Sequence, residues 1–294
     1  VFISIKPRHG DFLPNLVKEQ IKLKLKKYAV AGIVPEILDL KYLYLEVDSK
    51  VYYNSNLVSN AEEVTTIVSN NAAKYAASTD LNKYGARFKY SKFLNIIDQS
   101  HESVTSNITT IQMRRDLRLV LNSFAEYSMG FGNEFYIKSM GGYNIKSSSF
   151  KVSGLEADVY LSDVPDSNRE TGTLFLFTIP STNSTSPTII RRNVGYINYT
   201  KGIVTLNPIN IISGKTKDGQ AILEISACPK SNDVIGLQDL YLQLDTSNSS
   251  FETIVDEISS GLDPAASNYI VTSSYHNGSL VRSTPTSTST TSAY

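Results

Sequence analysis

The sequence predicts an α+β fold. An N-terminal mixed α/β module spans 1–121, a β-rich domain 122–250, and a short helix with an extended Ser/Thr-rich tail 251–294. Three observations carry this expectation. Helical and alternating apolar periodicities interleave as far as Leu121. Short apolar runs punctuated by Gly, Ser, Thr and Asn follow, as in β-rich domains. From Ser283 the chain is a Ser/Thr/Pro tract with almost nothing to bury, expected to be disordered in isolation. At 294 residues the length suits two domains, or one large domain with an extension.

Taken in order, Val1–Lys6 reads as a strand, stopped by Pro7 and an Arg8-His9-Gly10 turn. Because the chain opens on a strand and not on Met, it is expected to begin inside a longer protein. Pro14 opens a helix predicted over Asn15–Tyr28, at a place where its missing N–H costs nothing. Val17, Ile21, Leu25 and Tyr28 share one face of that helix. The alternation of Ile21–Lys26 would suit a strand, but the Pro14 start, the length and the helix-forming residues decide for helix. Leu16 and Leu23 make a second, smaller apolar stripe on the opposite side, as on a helix contacted from two directions.

Gly32 and Pro35 close the helical region. Tyr42–Tyr53 then alternates, with Leu43, Leu45, Val47, Val51 and Tyr53 on one face and Tyr42, Tyr44, Glu46, Asp48 and Lys50 on the other. That pattern predicts a half-buried strand, long enough for a hairpin arm or a bend near Asp48-Ser49. Ala61–Tyr75 reads as a helix capped by Asn60, with Glu62 and Glu63 in its first turn. A shorter helix follows over Ser91–Gln99, then a strand over Ile108–Leu121 whose apolar face is interrupted by Arg115. In the β-rich part, Gly195–Asn207 predicts a hairpin with Gly202 supplying a positive φ. Phe251–Ser259 is expected to be one more short helix.

Composition narrows function by exclusion. Lys and Arg total 28, as do Asp and Glu, so no net field steers the chain toward a polyanion and no nucleic-acid partner is expected. Lys18, Lys22, Lys24, Lys26 and Lys27 flank the apolar stripe of the first helix, either as solvated stems or facing an acidic partner surface. A single cysteine, Cys228, excludes an internal disulfide and a Cys-based zinc site. No apolar run approaches the roughly 20 residues of a membrane span, and no signal-peptide pattern is present.

Sites of chemistry are sparse, and no catalytic residue, cofactor or metal ligand is expected. Asp98, His101 and Glu102 form the most metal-like cluster, with a solvated helix end as the plainer alternative. Asp158, Asp163 and Asp166 lack the spacing and glycine of an EF-hand. Neither Gly130-Phe-Gly132 nor Gly141-Gly142 completes a phosphate-binding loop, and no GxSxG elbow exists. Arg114, Arg115 and Arg118 form a basic group on a predicted strand. Arg115 lies on the apolar face and, if buried, needs a carboxylate from another element or another subunit.

The motifs, in their order, point further. Val17-Lys-Glu-Gln-Ile-Lys-Leu-Lys-Leu-Lys-Lys-Tyr28 precedes Gly32-Ile-Val-Pro-Glu36 and then Tyr42-Leu-Tyr-Leu-Glu-Val-Asp-Ser-Lys-Val-Tyr52. The Ala61–Tyr75 helix, Gly85-Ala-Arg-Phe88 to Phe93, and Ile96-Ile97-Asp98 come next. Gly195-Tyr-Ile-Asn-Tyr and Gly202-Ile-Val-Thr-Leu follow in the β-rich part. This series resembles the baseplate-J-like family of contractile-tailed phages, specifically the C-terminal portion of the larger wedge protein, over most of residues 1 to about 260.

The resemblance implies a structural subunit of the virion tail baseplate, assembled in the host cytoplasm. It would form dimers and a ring by homotypic contacts, touch other wedge subunits, and act as a hinge when the baseplate triggers sheath contraction. Leu16, Leu23, Lys27 and Arg115 are the candidate interface residues. Two other function classes stay open: a receptor- or glycan-binding tail module with an aromatic pocket around Tyr143, Tyr196 or Tyr199, and a hydrolase with converging carboxylates.

Overall fold

The computed structural model describes residues 1–7, 13–30, 32–137, 143–179, 187–237 and 239–261, together with the backbone pairing of 275–276 and 279–280. The expectations for 8–10, Gly141-Gly142 and the tail from Ser283 fall outside those residues. The first half runs β1 (Phe2–Ser4), α1 (Asn15–Lys26), β2 (Glu36–Leu38), β3 (Lys41–Tyr53), α2 (Ala61–Ala76), β4 (Arg87–Phe88), α3 (Tyr90–Asp98) and β5 (Val104–Arg118). Then come β6 (Phe124–Gly130), β7 (Lys146–Ser147), β8 (Lys151–Val152), β9 (Tyr160–Pro165), β10 (Thr171–Thr178), β11 (Thr188–Asn198) and β12 (Ile203–Ser213). The last elements are β13 (Lys215–Lys217), β14 (Gln220–Ala227), β15 (Val234–Ile235), β16 (Leu240–Leu244), β17 (Ser250–Val255), β18 (Tyr275–His276) and β19 (Ser279–Leu280). The α+β expectation holds with a bias: among the described residues 46% are strand and 15% helix.

Two compact units are distinguishable by their internal contacts. One comprises Val1–Asp48, Ala72–Phe93 and Thr110–Ser250; the other comprises Ser49–Asn71, Leu94–Thr109 and Phe251–Tyr294. A seven-stranded sheet has the order β13-β14-β5-β3-β16, with β17 also on β3 and β7 also on β14. Strands from before and after residue 121 therefore share one sheet. β3 is an interior strand of it, pairing in parallel with β16 from Leu240↔Lys41 to Leu244↔Leu45 and with β5 on its other side.

That flanked position corrects the half-buried reading of Tyr42–Tyr53 at its start, whereas Asp48 and Lys50 are exposed as expected. Leu43 and Leu45 are fully buried as expected, but Tyr42 and Tyr44 on the opposite face are 7% and 5% exposed. Strands flanked on both edges are commonly covered on both faces, and tyrosine tolerates this because its ring is apolar. The rings of Tyr42 and Tyr44 stack at 5.6 Å, and Tyr241 meets Tyr42 edge-on at 6.0 Å. No hairpin forms at Asp48-Ser49; β3 is one strand of 13 residues. In the second unit Ser49 is buried on the apolar face and shares a 2.8 Å hydrogen bond with Thr109, which satisfies both hydroxyls.

In the first unit a second, six-stranded sheet has the order β6-β12-β11-β10-β9, with β8 also on β12, and its pairs are antiparallel. The predicted hairpin lies at its centre, with Gly195↔Leu206 through Asn198↔Ile203 in register and Gly202 at φ 62°. Smaller pairings join β1 to β2 in parallel, and β4 to β15 and β18 to β19 antiparallel.

Helix boundaries shift modestly. α2 begins as expected, with Glu62 N donating to Asn60 Oδ1 at 3.0 Å. α1 ends at Lys26 instead of Tyr28, and Tyr28 is 88% exposed. The helix expected at Phe251–Ser259 is a correction: Ser250–Val255 forms β17 on β3. Phe251, Thr253 and Val255 alternate, and β-branched residues favour a strand when an edge is open to them. Asp256 then accepts from Ile258 N and Ser259 N, each at 3.2 Å, turning the chain where the helix was expected to continue.

A Cβ on Gly202 would lie 2.0 Å from the Asn133 carbonyl oxygen, and the positive φ disfavours any L side chain as well. Gly202→Ala should therefore destabilise the chain by about 1–3 kcal/mol, measurable as a lower urea midpoint at unchanged slope.

Candidate functional site

Arg114, on β5, is the most heavily engaged charge in the chain. Its side chain is 6% exposed and carboxylates approach it from several strands. Nη1 donates to Glu224 Oε1 of β14 at 2.9 Å, and Nη2 to Asp245 Oδ2, just past β16, at 2.6 Å. Nε lies 2.6 Å from Glu46 Oε1 of β3, an ion contact at an angle poor for a hydrogen bond. Asp116 Oδ1, two residues along β5, is 3.4 Å from Nη1. The guanidinium also sits 4.6 Å above the Tyr44 ring. Lys215 and Lys217 of β13 extend the cluster through Glu224 at 2.7 Å and Asp116 at 2.9 Å.

Strand parity explains the assembly. Successive side chains on a strand point to opposite faces, so Tyr42, Tyr44 and Glu46 share one face of β3, as do Arg114 and Asp116 on β5. Burial opposes the Arg114 charge, but Asp116, Glu46, Glu224 and Asp245 together hold its pKa above the usual guanidinium value. Burial pushes the Glu46 carboxyl up, with Asp245, Glu224 and Asp116 adding to the rise and only Arg114 pulling it down. The cluster is thus a charged joint between four strands and the turn after β16, in which one arginine and two lysines face four carboxylates.

The arginine expected to need a partner was Arg115, and the structure corrects the kind of partner. Arg115 is half-buried, and its Nη1 donates to the Gly130 carbonyl at the end of β6, so the bond joins two elements of one chain. Its Nε has no hydrogen-bond partner, and burial lowers its pKa, with Asp239 the nearest opposing influence. Leu16 and Leu23 lie on α1, and Lys27 caps its C-terminus. Leu16 is 72% and Leu23 61% exposed, and α1 buries no residue within the chain. Val17, Ile21 and Leu25 are half-covered, and Lys18 ties the helix to Asp39 at 2.6 Å.

Asp163 is buried and accepts from Asn144 N at 2.8 Å, Ile145 N at 2.6 Å and the Tyr199 hydroxyl at 2.6 Å. Burial, then the bond to Asp163, pushes the Tyr199 hydroxyl pKa far above its usual value. Asp163 is thereby spent on structure and does not join Asp158 and Asp166 as a ligand. Tyr199, 1% exposed, lines no surface pocket; Tyr143 and Tyr196 are exposed, with Tyr143 edge-on to Phe175 at 5.3 Å. Asp98 accepts from Asn107 Nδ2 at 2.6 Å, and His101 Nδ1 faces the Ser103 hydroxyl at 2.8 Å. Among the described residues no group of three or more His, Cys, Asp or Glu side chains is placed to hold a metal.

Removing Arg114 would leave Glu46, Asp116, Glu224 and Asp245 facing one another. Arg114→Met should cost about 3–5 kcal/mol at neutral pH. Without the guanidinium the Glu46 carboxyl, already pushed up by burial, loses the one influence that lowers it, so the folded variant binds more protons than the unfolded chain. Its stability should therefore recover as pH falls and be lost as pH rises through the raised value. Urea unfolding of both proteins between about pH 4 and pH 8 should show the gap widening with pH.

The comparisons with known proteins follow this geometry. Residues 1–38 match the family model for baseplate structural protein gp6, C-terminal domain I, and residues 41–116 match that for C-terminal domain III. The chain is 30% identical over 164 residues to the baseplate wedge protein gp6 of Enterobacteria phage T4, covering 54% of this chain and 24% of the T4 protein. The chain thus spans about a quarter of that relative's length. The resemblance expected from the order of the motifs is borne out: over residues 1–38 and 41–116 the chain matches the C-terminal portion of a phage baseplate wedge subunit.

Proposed function

We propose that this chain is a contact-forming part of a baseplate wedge subunit, located in the virion tail baseplate and assembled in the host cytoplasm. It pairs with a second copy of itself, closes a ring through repeated homotypic contacts, meets other wedge subunits, and works without catalysis, cofactor or metal. In this reading the baseplate changes shape through these contacts, the subunit acts as a hinge, and sheath contraction follows.

The observation that carries the reading is the N-terminal segment. Val1, Phe2, Leu16, Leu23, Tyr28, Val30, Val34 and Leu38 are all exposed there, around a two-stranded parallel sheet and a helix with no buried residue. Isolated two-stranded sheets are marginal in water, and apolar surface concentrated in so short a segment marks an interaction surface. The family match at 1–38 and 41–116 supports the class of assembly. Leu16, Leu23, Lys27 and Arg115 are the residues proposed at contacts, Arg115 while also holding the end of β6 through the Gly130 carbonyl.

Sedimentation of the wild type and of a Leu16→Glu/Leu23→Glu variant tests the pairing. The wild type should dimerise through an interface of roughly 1,000 Å² or more, and the variant should sediment as a monomer with the same thermal midpoint. A wild type that stays monomeric at high concentration, or a variant that still dimerises, would overturn the proposed contact.

A further inference from the structure

A cavity of about 270 Å³ in the first unit is lined by Tyr75, Asp80, Lys83, Gly85, Arg87, Lys89 and Lys92. Its floor is firm. The Tyr75 ring is 5% exposed and meets Phe88 at 6.2 Å and Phe93 at 5.8 Å, and Phe88 and Phe93 are fully buried. Its walls are cationic, with four basic side chains against one carboxylate. Lys92 is paired with Asp80. Among the described residues Lys83, Arg87 and Lys89 make no ion pair, and all are exposed. Lys89 also immediately precedes α3, whose N-terminus adds positive potential, although Asp233 Oδ1 already takes the Tyr90 N–H at 2.8 Å.

This local excess stands out on a chain whose formal net charge is zero. The cavity falls just below the roughly 300–1,000 Å³ of small-molecule sites, which leaves room for one or two side chains and not for a nucleotide or a comparable cofactor. Three unpaired cations around a rigid aromatic floor suit carboxylates, with the guanidinium of Arg87 able to grip one in a bidentate fashion.

We infer that this cavity is a docking site for an acidic segment of a partner protein, whose Asp or Glu side chains take Lys83, Arg87 and Lys89. The Asp80–Lys92 pair borders the site and leaves those three cations to the incoming segment. The inference deepens the reading of a contact-forming subunit and rests on it only in making the occupant a protein. The face is also distinct from the apolar one on α1, so the two contacts can be tested apart.

Fluorescence anisotropy of a labelled hexapeptide of Asp and Glu against the full chain tests the site. The peptide should bind, and binding should weaken as salt rises from about 0.1 M to about 1 M, where screening shortens from about 10 Å to about 3 Å. Lys83→Glu/Lys89→Glu should weaken it by about tenfold or more, whereas a Lys151→Glu/Lys201→Glu control of equal charge should not. Circular dichroism verifies folding; should the Glu variant unfold, Lys83→Gln/Lys89→Gln carries the same expectation. Equal binding by the site variant, or an equal loss in the control, would overturn the inference. So would a labelled single-stranded oligonucleotide that binds more tightly through the same lysines. No baseplate component enters this measurement, so its failure would leave the wedge reading standing.

Discussion

One guanidinium allows the first half of β3, an interior strand of the larger sheet, to be covered on both faces. β3 carries Leu43 and Leu45 on one side and Tyr42, Tyr44 and Glu46 on the other, and there the second side is covered as well, fully at the two tyrosines and largely at Glu46. Glu46 could not be enclosed there as a bare anion, because removing a charge from water costs far more than a side chain of that size returns. Arg114 resolves this by meeting carboxylates from β3, β5, β14 and the turn after β16, while its planar face rests on Tyr44. The cost of burial is then shared across a network, and breaking the network is far more damaging than its net contribution suggests.

The same network explains how distant parts of the chain come to share a sheet. β14 and β16 arrive more than a hundred residues after β5 begins, and each brings a carboxylate to the same cation. At the sheet's outer edge β13 presents Lys215 and Lys217, which serve Glu224 and Asp116 and also charge an edge strand that would otherwise invite pairing with another chain. Exposed apolar side chains gather elsewhere, along the N-terminal segment at Val1, Phe2, Leu16 and Leu23. A protein that guards one edge and leaves another face open is organised for selective contact.

Local signals in the sequence were legible where chemistry is local. The Asn60 cap, the Pro14 start and the Gly202 turn each follow from one residue's own constraint, and each is found where expected. Signals that depend on partners were not. Tyr42 and Tyr44 alternate with leucines and read as a solvent face until β16 and Lys217 cover them. Phe251–Val255 reads as a helix until the free side of β3 is known to exist. Arg115 drew attention because it interrupts an apolar face, yet the carboxylates gather around Arg114, one residue away and on the other side. The polar face of β3 held the usable clue, since Glu46 beside two tyrosines is an odd composition for a solvated strand.

The central claim is that α1 makes a contact with another copy of this chain. Amide hydrogen exchange across 15–26, recorded on dilute and on concentrated protein, tests it most directly. The account predicts that protection of α1 rises with concentration while that of β3 stays constant. Exchange in α1 that is equally fast at both concentrations would contradict it.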